Sequence, residues 1–314
     1  MNQHQLSSGD LIADRRAEYA HMLAETGEHA AAADLMTQAL DLVPDWAAGW
    51  FRLADYQDKS GNRAAAIEAL RKVLALQPGD VFGAGLKLAL FGDRTAPDQP
   101  PSLYVERLFD DYADRFDKAL VERLDYTVPQ KLAALAVAHC GQERFRHVID
   151  LGCGTGLFGA EIRDRTDILE GFDLSINMLA KAQDKAIYDY LGQADLSLSP
   201  EASGVFARDA DSPSRADLVS AADVLMYLGA LDSVFVIVDR LLATSSVFAF
   251  SVEDAGADGD VVLRPSLRYA HGESYINALC SIHGFEIRAV NRTVIRKDGG
   301  KPVSGILFVT RKTS

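Results

Sequence analysis

The chain has 314 residues and a formal net charge of −13, a length that predicts two domains and a balance that disfavours nucleic acid as the main partner, because neutralising phosphates needs clustered Lys and Arg. Cys140, Cys153 and Cys280 are scattered, with neither a disulfide framework nor zinc spacing, which predicts a reducing compartment. The opening MNQHQLSSGDLIADRR has no apolar core of signal-peptide type, and no apolar run approaches the roughly 20 residues of a membrane helix, so a cytoplasmic protein without a membrane partner is expected.

The front of the chain repeats. Ala20 falls on Ala54, Gly27 on Gly61, Ala32 on Ala66 and Pro44 on Pro78, each pair 34 residues apart. Gly61 separates two segments of helical periodicity, where a tight helix–helix turn needs positive φ. Ala54 and Ala66 are small where two helices must approach closely, and Pro78 stops the second helix. The pattern resembles the tetratricopeptide repeat, with Trp50 and Leu53 in its large positions, although Arg16 replaces the early aromatic of the first unit. DVFGAGLKLALFG (80–92) is expected to be a capping helix. Two such units bury their faces only against neighbours, so the array is expected to dock on the rest of the chain, on a peptide or protein partner, or on a second copy. The predicted division is a helical domain over 1–93, a Pro-rich linker over 94–102 and a second domain over 103–314.

After the linker, Leu108, Tyr112, Phe116 and Leu120 recur at helical spacing, and VPQKLAALAVAHC predicts a second helix with Pro129 in its first turn. Strands then alternate with helices: FRHVIDLG, LFGAEIRDR, ILEGFDL, SINMLAKAQDKA with Ser175 as its cap, ADLVSAADVL, DSVFVIVDRLL, SSVFAFSVE and ESYINALCSIHG. Such alternation predicts an α/β fold with a parallel sheet covered on both faces. FEIRAVNRTVIRK and GILFVTRK, joined by KDGGKP, predict one antiparallel edge.

VIDLGCGTGLFG (148–159) follows the first strand of that sheet, and ligands of such sheets sit outside the strands' carboxyl ends. Its glycines, Gly152, Gly154 and Gly156, form G-x-G-x-G, whereas the dinucleotide fingerprint is G-x-G-x-x-G; the position three after Gly154 is Leu157. That register argues against a nicotinamide oxidoreductase. The string resembles the first motif of the class I S-adenosylmethionine-dependent methyltransferases. The resemblance implies a Rossmann-like domain with a mostly parallel seven-stranded sheet and one antiparallel strand. It also implies S-adenosylmethionine as cofactor and S-adenosylhomocysteine as product. Asp150 would close the first strand, and the loop of Gly152, Cys153, Gly154, Thr155 and Gly156 would hold the methionine end. Asp173, with Leu174 beside it, ends the second strand, where a carboxylate can accept from both ribose hydroxyls, and Met178 would line the adenine side. In GQADL, Asp195 would take the adenine amino group, with Ala194 and Leu196 at the ring. DLVSAADVLMYLGAL, including Ala222, would border the methyl group. The order of repeats, helices, glycine motif and RYAHGESY resembles predicted bacterial methyltransferases carrying tetratricopeptide repeats. That likeness implies a lid with Tyr112, and less directly Phe116, at the cofactor.

A methyl group on a sulfonium is already activated, so no distinctive triad is required, and a base is needed only where the acceptor must lose a proton. The candidates at the ends of strands four and five are Tyr227, Glu253 and His271; His271 is preferred because imidazole titrates near neutrality, with a structural hydrogen bond as its alternative role. Arg268 can hold an acidic substrate or make a surface ion pair. EDAGADGD (253–260) does not match a calcium loop and predicts no metal. AADVLMY stands where amino-methyltransferases carry Asn/Asp-Pro-Pro-Tyr, so adenine and glutamine-amide acceptors are disfavoured. The expectation is a methyltransferase acting on a small-molecule or protein acceptor. The rival is an adaptor whose cofactor-binding domain is catalytically silent.

Overall fold

The computed structural model describes residues 7–113, 126–141, 143–208 and 214–313. Contacts divide the chain into two compact units, residues 1–111 with Pro265–Leu267, and residues 112–264 with 268–314. No described helix is long and apolar enough to cross a membrane.

The first unit is all-helical: α1 Leu11–Glu25, α2 His29–Leu42, α3 Ala47–Lys59, α4 Arg63–Leu76, α5 Ala84–Leu90 and α6 Ser102–Tyr112. Asp10 caps α1 by accepting from the amides of Ile12 and Ala13, and Asn62 caps α4 through Ala65. The α1–α2 and α3–α4 turns place Gly27 and Gly61 at φ 87° and 85°, a conformation that costs L side chains but not glycine. Alanines make the close approaches. Ala13, Ala17 and Ala20 of α1 share a core with Ala32, Ala33 and Met36 of α2, and Ala54 of α3 shares it with Ala66 and Ala69 of α4. Residues 94–101 carry no helix or strand, and α6 follows.

The second unit is an α/β sheet. Its elements are α7 Val128–Cys140, β1 Phe145–Leu151, α8 Leu157–Ile162, β2 Thr166–Asp173, α9 Ile176–Asp184, β3 Tyr190–Gln193, β4 Ala216–Ala221, α10 Asp232–Leu241, β5 Leu242–Asp254, β6 Val261–Leu263, β7 Tyr269–His271, α11 Glu273–Ile282, β8 Phe285–Asp298 and β9 Lys301–Lys312. The order begins β3-β2-β1-β4-β5, all parallel, and β9 lies antiparallel between β5 and β8. Successive residues along each strand point to opposite faces. Thus Ile149, Val219, Phe248 and Phe308 join α10 and α11 in one core, while Val148, Leu218, Val247 and Leu307 join α7 and α8 in the other.

Among the described residues the sheet has nine strands rather than the seven expected, and two of them, β6 and β9, run against the rest. The additional pair is a hairpin in the connection after β5. Glu253 pairs with Gly305 of β9 on one side and with Ala270 of β7 on the other, so β7 extends the sheet past the end of β4. His271 therefore sits at the end of a short strand of the sheet.

Phe250 is fully buried, stacked on Phe308 at 5.1 Å and edge-on to Phe235 at 5.9 Å. Phe250→Ala is expected to cost about 3–5 kcal/mol, measured by denaturant unfolding of the full chain followed by circular dichroism.

Candidate active site

The loop between β1 and α8 reverses the chain over three left-handed glycines: Gly152 at φ 67°, Gly154 at 54° and Gly156 at 90°. Two of them make room for the protein's own side chains. A Cβ on Gly152 would run into Val224 of the loop after β4, and one on Gly156 would lie 2.9 Å from the Tyr188 ring. Tyr188 also fills the space beside Gly159 and Gly171. Its hydroxyl donates to Asp150 Oδ2 at 2.8 Å, while Ser220 Oγ donates to Asp150 Oδ1 at 2.7 Å. Asp150 is buried, and that burial pushes its carboxyl up to about 7, against the pull of the two hydroxyls. Cys153 and Thr155 are buried too, and burial raises the Cys153 thiol well above its ordinary range.

Asp173 ties the loop down. It is half-buried at the end of β2, accepting from Gly154 N–H through Oδ2 at 2.8 Å and from Ser175 N–H through Oδ1 at 2.9 Å. Ser175 caps α9 by accepting from Met178 N–H at 3.1 Å. The Asp173 carbonyl accepts from Ala194 N–H at 2.9 Å, which brings the β3 end alongside. Asp195 is half-buried there, its Oδ1 accepting from the Ser197 amide and hydroxyl at 2.9 and 2.6 Å. Leu174 is half-buried, Ala194 and Leu196 are buried, and Met178 is completely buried. The glycine loop and the ends of β2 and β3 thus form one side of the sheet's carboxyl edge.

The other side is a charged cluster at the ends of β4 and β5. Asp223 takes the left-handed conformation at φ 57°, and its amide donates to Ser251 Oγ at 2.7 Å. Arg296 of β8, itself buried, donates to Asp223 Oδ1 at 2.7 Å and to Glu253 Oε1. Burial raises both acids, while Arg296 pulls them down. Tyr227 is half-buried; Arg268 Nε donates to its hydroxyl at 3.2 Å, and the Arg268 guanidinium lies 5.7 Å from its ring centroid. Ala222 is half-buried in the same loop, in one cluster with Met226, Tyr227 and the buried Tyr126. Arg296 and Tyr188 carry no periodic or motif signal in the sequence; Asp223 and Val224 fall within DLVSAADVLMYLGAL, but nothing in that string singles them out.

Residues 144–271 match the family model described as a methyltransferase domain. Two curated relatives are malonyl-[acyl-carrier protein] O-methyltransferases. The Enterobacter lignolyticus protein is 28% identical over 152 residues, covering 48% of this chain and 56% of its own length. The Legionella pneumophila protein is 25% identical over 187 residues, covering 57% and 59%. The chain therefore spans little more than half the length of these relatives. Burkholderia thailandensis 1,6-didemethyltoxoflavin-N1-methyltransferase, crystallised with 1,6-didemethyltoxoflavin and S-adenosylhomocysteine, shares the fold. Its TM-score is 0.52 at 19% identity, covering 70% of this chain and 94% of that one. The chain carries a methyltransferase domain.

Within the methyltransferase domain, His271 is fully buried, with Nε2 2.8 Å from the Gly229 carbonyl oxygen and its ring stacked on Tyr275 at 5.9 Å. Only a protonated Nε2 suits a carbonyl, so Nδ1 carries the lone pair, and it has no hydrogen-bond partner among the described residues. Burial lowers the imidazole to about 4. The Tyr112 side chain and Phe116 lie outside the described residues.

Asp150 and His271 titrate with opposite consequences. The unfolded chain protonates His271 near its ordinary 6.5, before the fold does, so acidification from about 6.5 to about 4 destabilises. The fold keeps the Asp150 proton up to about 7 against an ordinary 3.8, so acidification over that window stabilises. Thermal melts between pH 7 and 4 are expected to show His271→Gln losing less stability on acidification than the unmodified chain, and Asp150→Asn losing more.

Proposed function

We propose that the protein is an S-adenosylmethionine-dependent methyltransferase. The observation that carries this reading is Asp173, at the end of β2, bonded to the glycine loop through Gly154 N–H at 2.8 Å. A carboxylate at that strand end is an acceptor of the kind the hydroxyls of a ribose need. The donor set fits the cofactor in kind: a loop of Gly152, Cys153, Gly154, Thr155 and Gly156 for the methionine end, Asp173 and Leu174 for the ribose, and Asp195 with Ala194, Leu196 and Met178 on the adenine side. Asp150, buried behind the loop, acts through the loop's shape. Ala222 borders the methyl side, and Tyr112 is assigned to a lid.

When bound, the sulfonium supplies an already activated methyl group. The protein's own part is to orient the acceptor and exclude water. Tyr227, Glu253 and His271 stand at the acceptor end as candidates to position it or take a proton. Glu253 is engaged by Arg296, and His271 has its Nε2 committed to Gly229. His271 Nδ1 is neutral at physiological pH and is the one nitrogen of that ring able to accept a proton. The acceptor is a small molecule or a protein.

For the first unit, the offset from Gly27 to Gly61, both left-handed, supports a reading as two tetratricopeptide repeats closed by α5. They would serve for docking a peptide or protein partner or for self-association. We assign the helical domain to 1–93, the linker to 94–102 and the methyltransferase domain to 103–314, in a cytoplasmic protein.

Calorimetric titration with S-adenosylmethionine, S-adenosylhomocysteine and NADH tests the reading. Saturable binding of the first two is expected, with Asp173→Ala weakening it by about tenfold or more, the loss of hydrogen bonds to a charged group. Binding of NADH alone, or of none of the three, would overturn it.

A further inference from the structure

Arg268 differs from Arg296, the other arginine described in the cluster. Arg296 is buried and spends its two terminal nitrogens on Asp223 and Glu253. The Arg268 side chain is 24% exposed. Its guanidinium is oriented from behind by the Tyr227 hydroxyl and ring. Its Nη1 donates to Asp298 Oδ2 at 2.9 Å, and Nη2 has no hydrogen bond among the described residues. Asp298 ends β8 beside the Gly299–Gly300 turn, and its side chain is 52% exposed. A half-buried, aromatic-backed guanidinium thus has its open edge half-occupied by a rim carboxylate that water can replace.

Charge decides what the open edge takes. Asp223 and Glu253 are both answered by Arg296, which leaves the buried trio one negative charge in excess; Arg268 cancels it. Asp298 then adds a charge from the rim. An anion displacing Asp298 leaves this balance unchanged, whereas a cation meets a guanidinium and two acids already committed. With Asp298 displaced, the planar fork presents Nη1 and Nη2 together and matches a carboxylate in bidentate geometry better than a single point charge does. The side chain that occupies it in the fold is itself a carboxylate.

The loop also sets the location. Tyr227, which holds Arg268, donates its amide to the Val224 carbonyl at 3.0 Å. Val224 in turn fills the space over Gly152. Arg268 is therefore three contacts from the glycine loop, through Tyr227 and Val224, at the acceptor end and not at the ribose or adenine end.

We propose that Arg268 is the acceptor-anchoring residue, that it binds a carboxylate carried by the methyl acceptor, and that Asp298 is its internal placeholder. The proposal rests on the methyltransferase reading for the word acceptor, but the anion site itself is measured without methyl transfer.

The experiment is calorimetric titration of the full chain, with and without saturating S-adenosylhomocysteine, using succinate, inorganic phosphate and the neutral succinamide as probes. Succinate is expected to bind and succinamide not to bind. Arg268→Gln is expected to weaken succinate by about tenfold or more, the loss of charge-assisted bonds. Asp298→Asn sits on the exposed rim, spares the fold, and is expected to tighten succinate by about two- to fivefold, the range of an exposed ion pair. The opposite signs separate an anchoring role from general destabilisation. Absence of succinate binding, phosphate binding in preference to succinate, or Asp298→Asn leaving succinate unchanged or weaker would overturn the assignment. Failure of S-adenosylhomocysteine to bind, with the succinate pattern intact, would sink the methyltransferase reading and keep the anion site.

Discussion

The second unit turns on a close approach: Val224 and Tyr188 each press against a glycine of the loop after β1. Because Gly152 and Gly156 have no side chain, the loop after β4 and the segment before β3 can both reach the end of β1. Tyr188 then delivers its hydroxyl to Asp150, and Ser220 of β4 delivers the second. A buried carboxylate is costly unless hydrogen-bonded, and here the bonds come from two neighbouring segments. Four pieces of chain are locked around one acid, and any residue larger than glycine at either position would separate them. The glycines are thus structural as well as accommodating to a ligand, and the two demands coincide in one loop.

Local patterns carried most of the fold. Alternation of apolar strands with capped helices is a short-range signal; Ser175 capping α9 and the left-handed Gly61 turn are visible within a few residues. The glycine loop and Asp173 follow strands that can be recognised, so their common edge is deducible; Asp195 follows β3, a four-residue strand that periodicity does not reveal. What escaped is long-range or weakly patterned. β6 and β7 are three residues each and rest on pairing with the end of β5 and with each other, not on their own periodicity. Arg296 sits 73 residues from Asp223 and 43 from Glu253, inside a strand where charged residues recur. Tyr188 reads as one of two tyrosines in IYDYL, and only the three glycines facing it reveal its place.

His271 shows how the same residue supports two readings until its surroundings are known. As a sequence symbol it is a titratable base near an acceptor site. In the fold it is an imidazole at the end of a short strand, tied to the Gly229 carbonyl and backed by Tyr275, whose hydroxyl accepts from Leu231 N–H at 2.8 Å. The pair joins β7 and α11 to the loop leading into α10. That tie gives the ring a defined tautomer, and burial keeps it neutral where an exposed histidine would begin to charge.

Arg296 answers two buried acids with one guanidinium, and its value is geometric more than energetic. Removing three charges from water costs several kcal/mol per ion, and their attraction repays it only in part. A well-packed apolar trio would serve stability as well. It would not hold Asp223. That residue has a left-handed backbone uncommon outside glycine, asparagine and aspartate, and it precedes Val224, the residue that meets Gly152. The Arg296 bond to its side chain and the Ser251 bond to its amide fix both ends of a strained residue. Strain of this kind persists only where the surroundings over-determine it. Here they do so at the joint between the glycine loop and the charged cluster, so the spacing between the two halves of the site is set by Arg296 through Asp223 and its neighbour Val224.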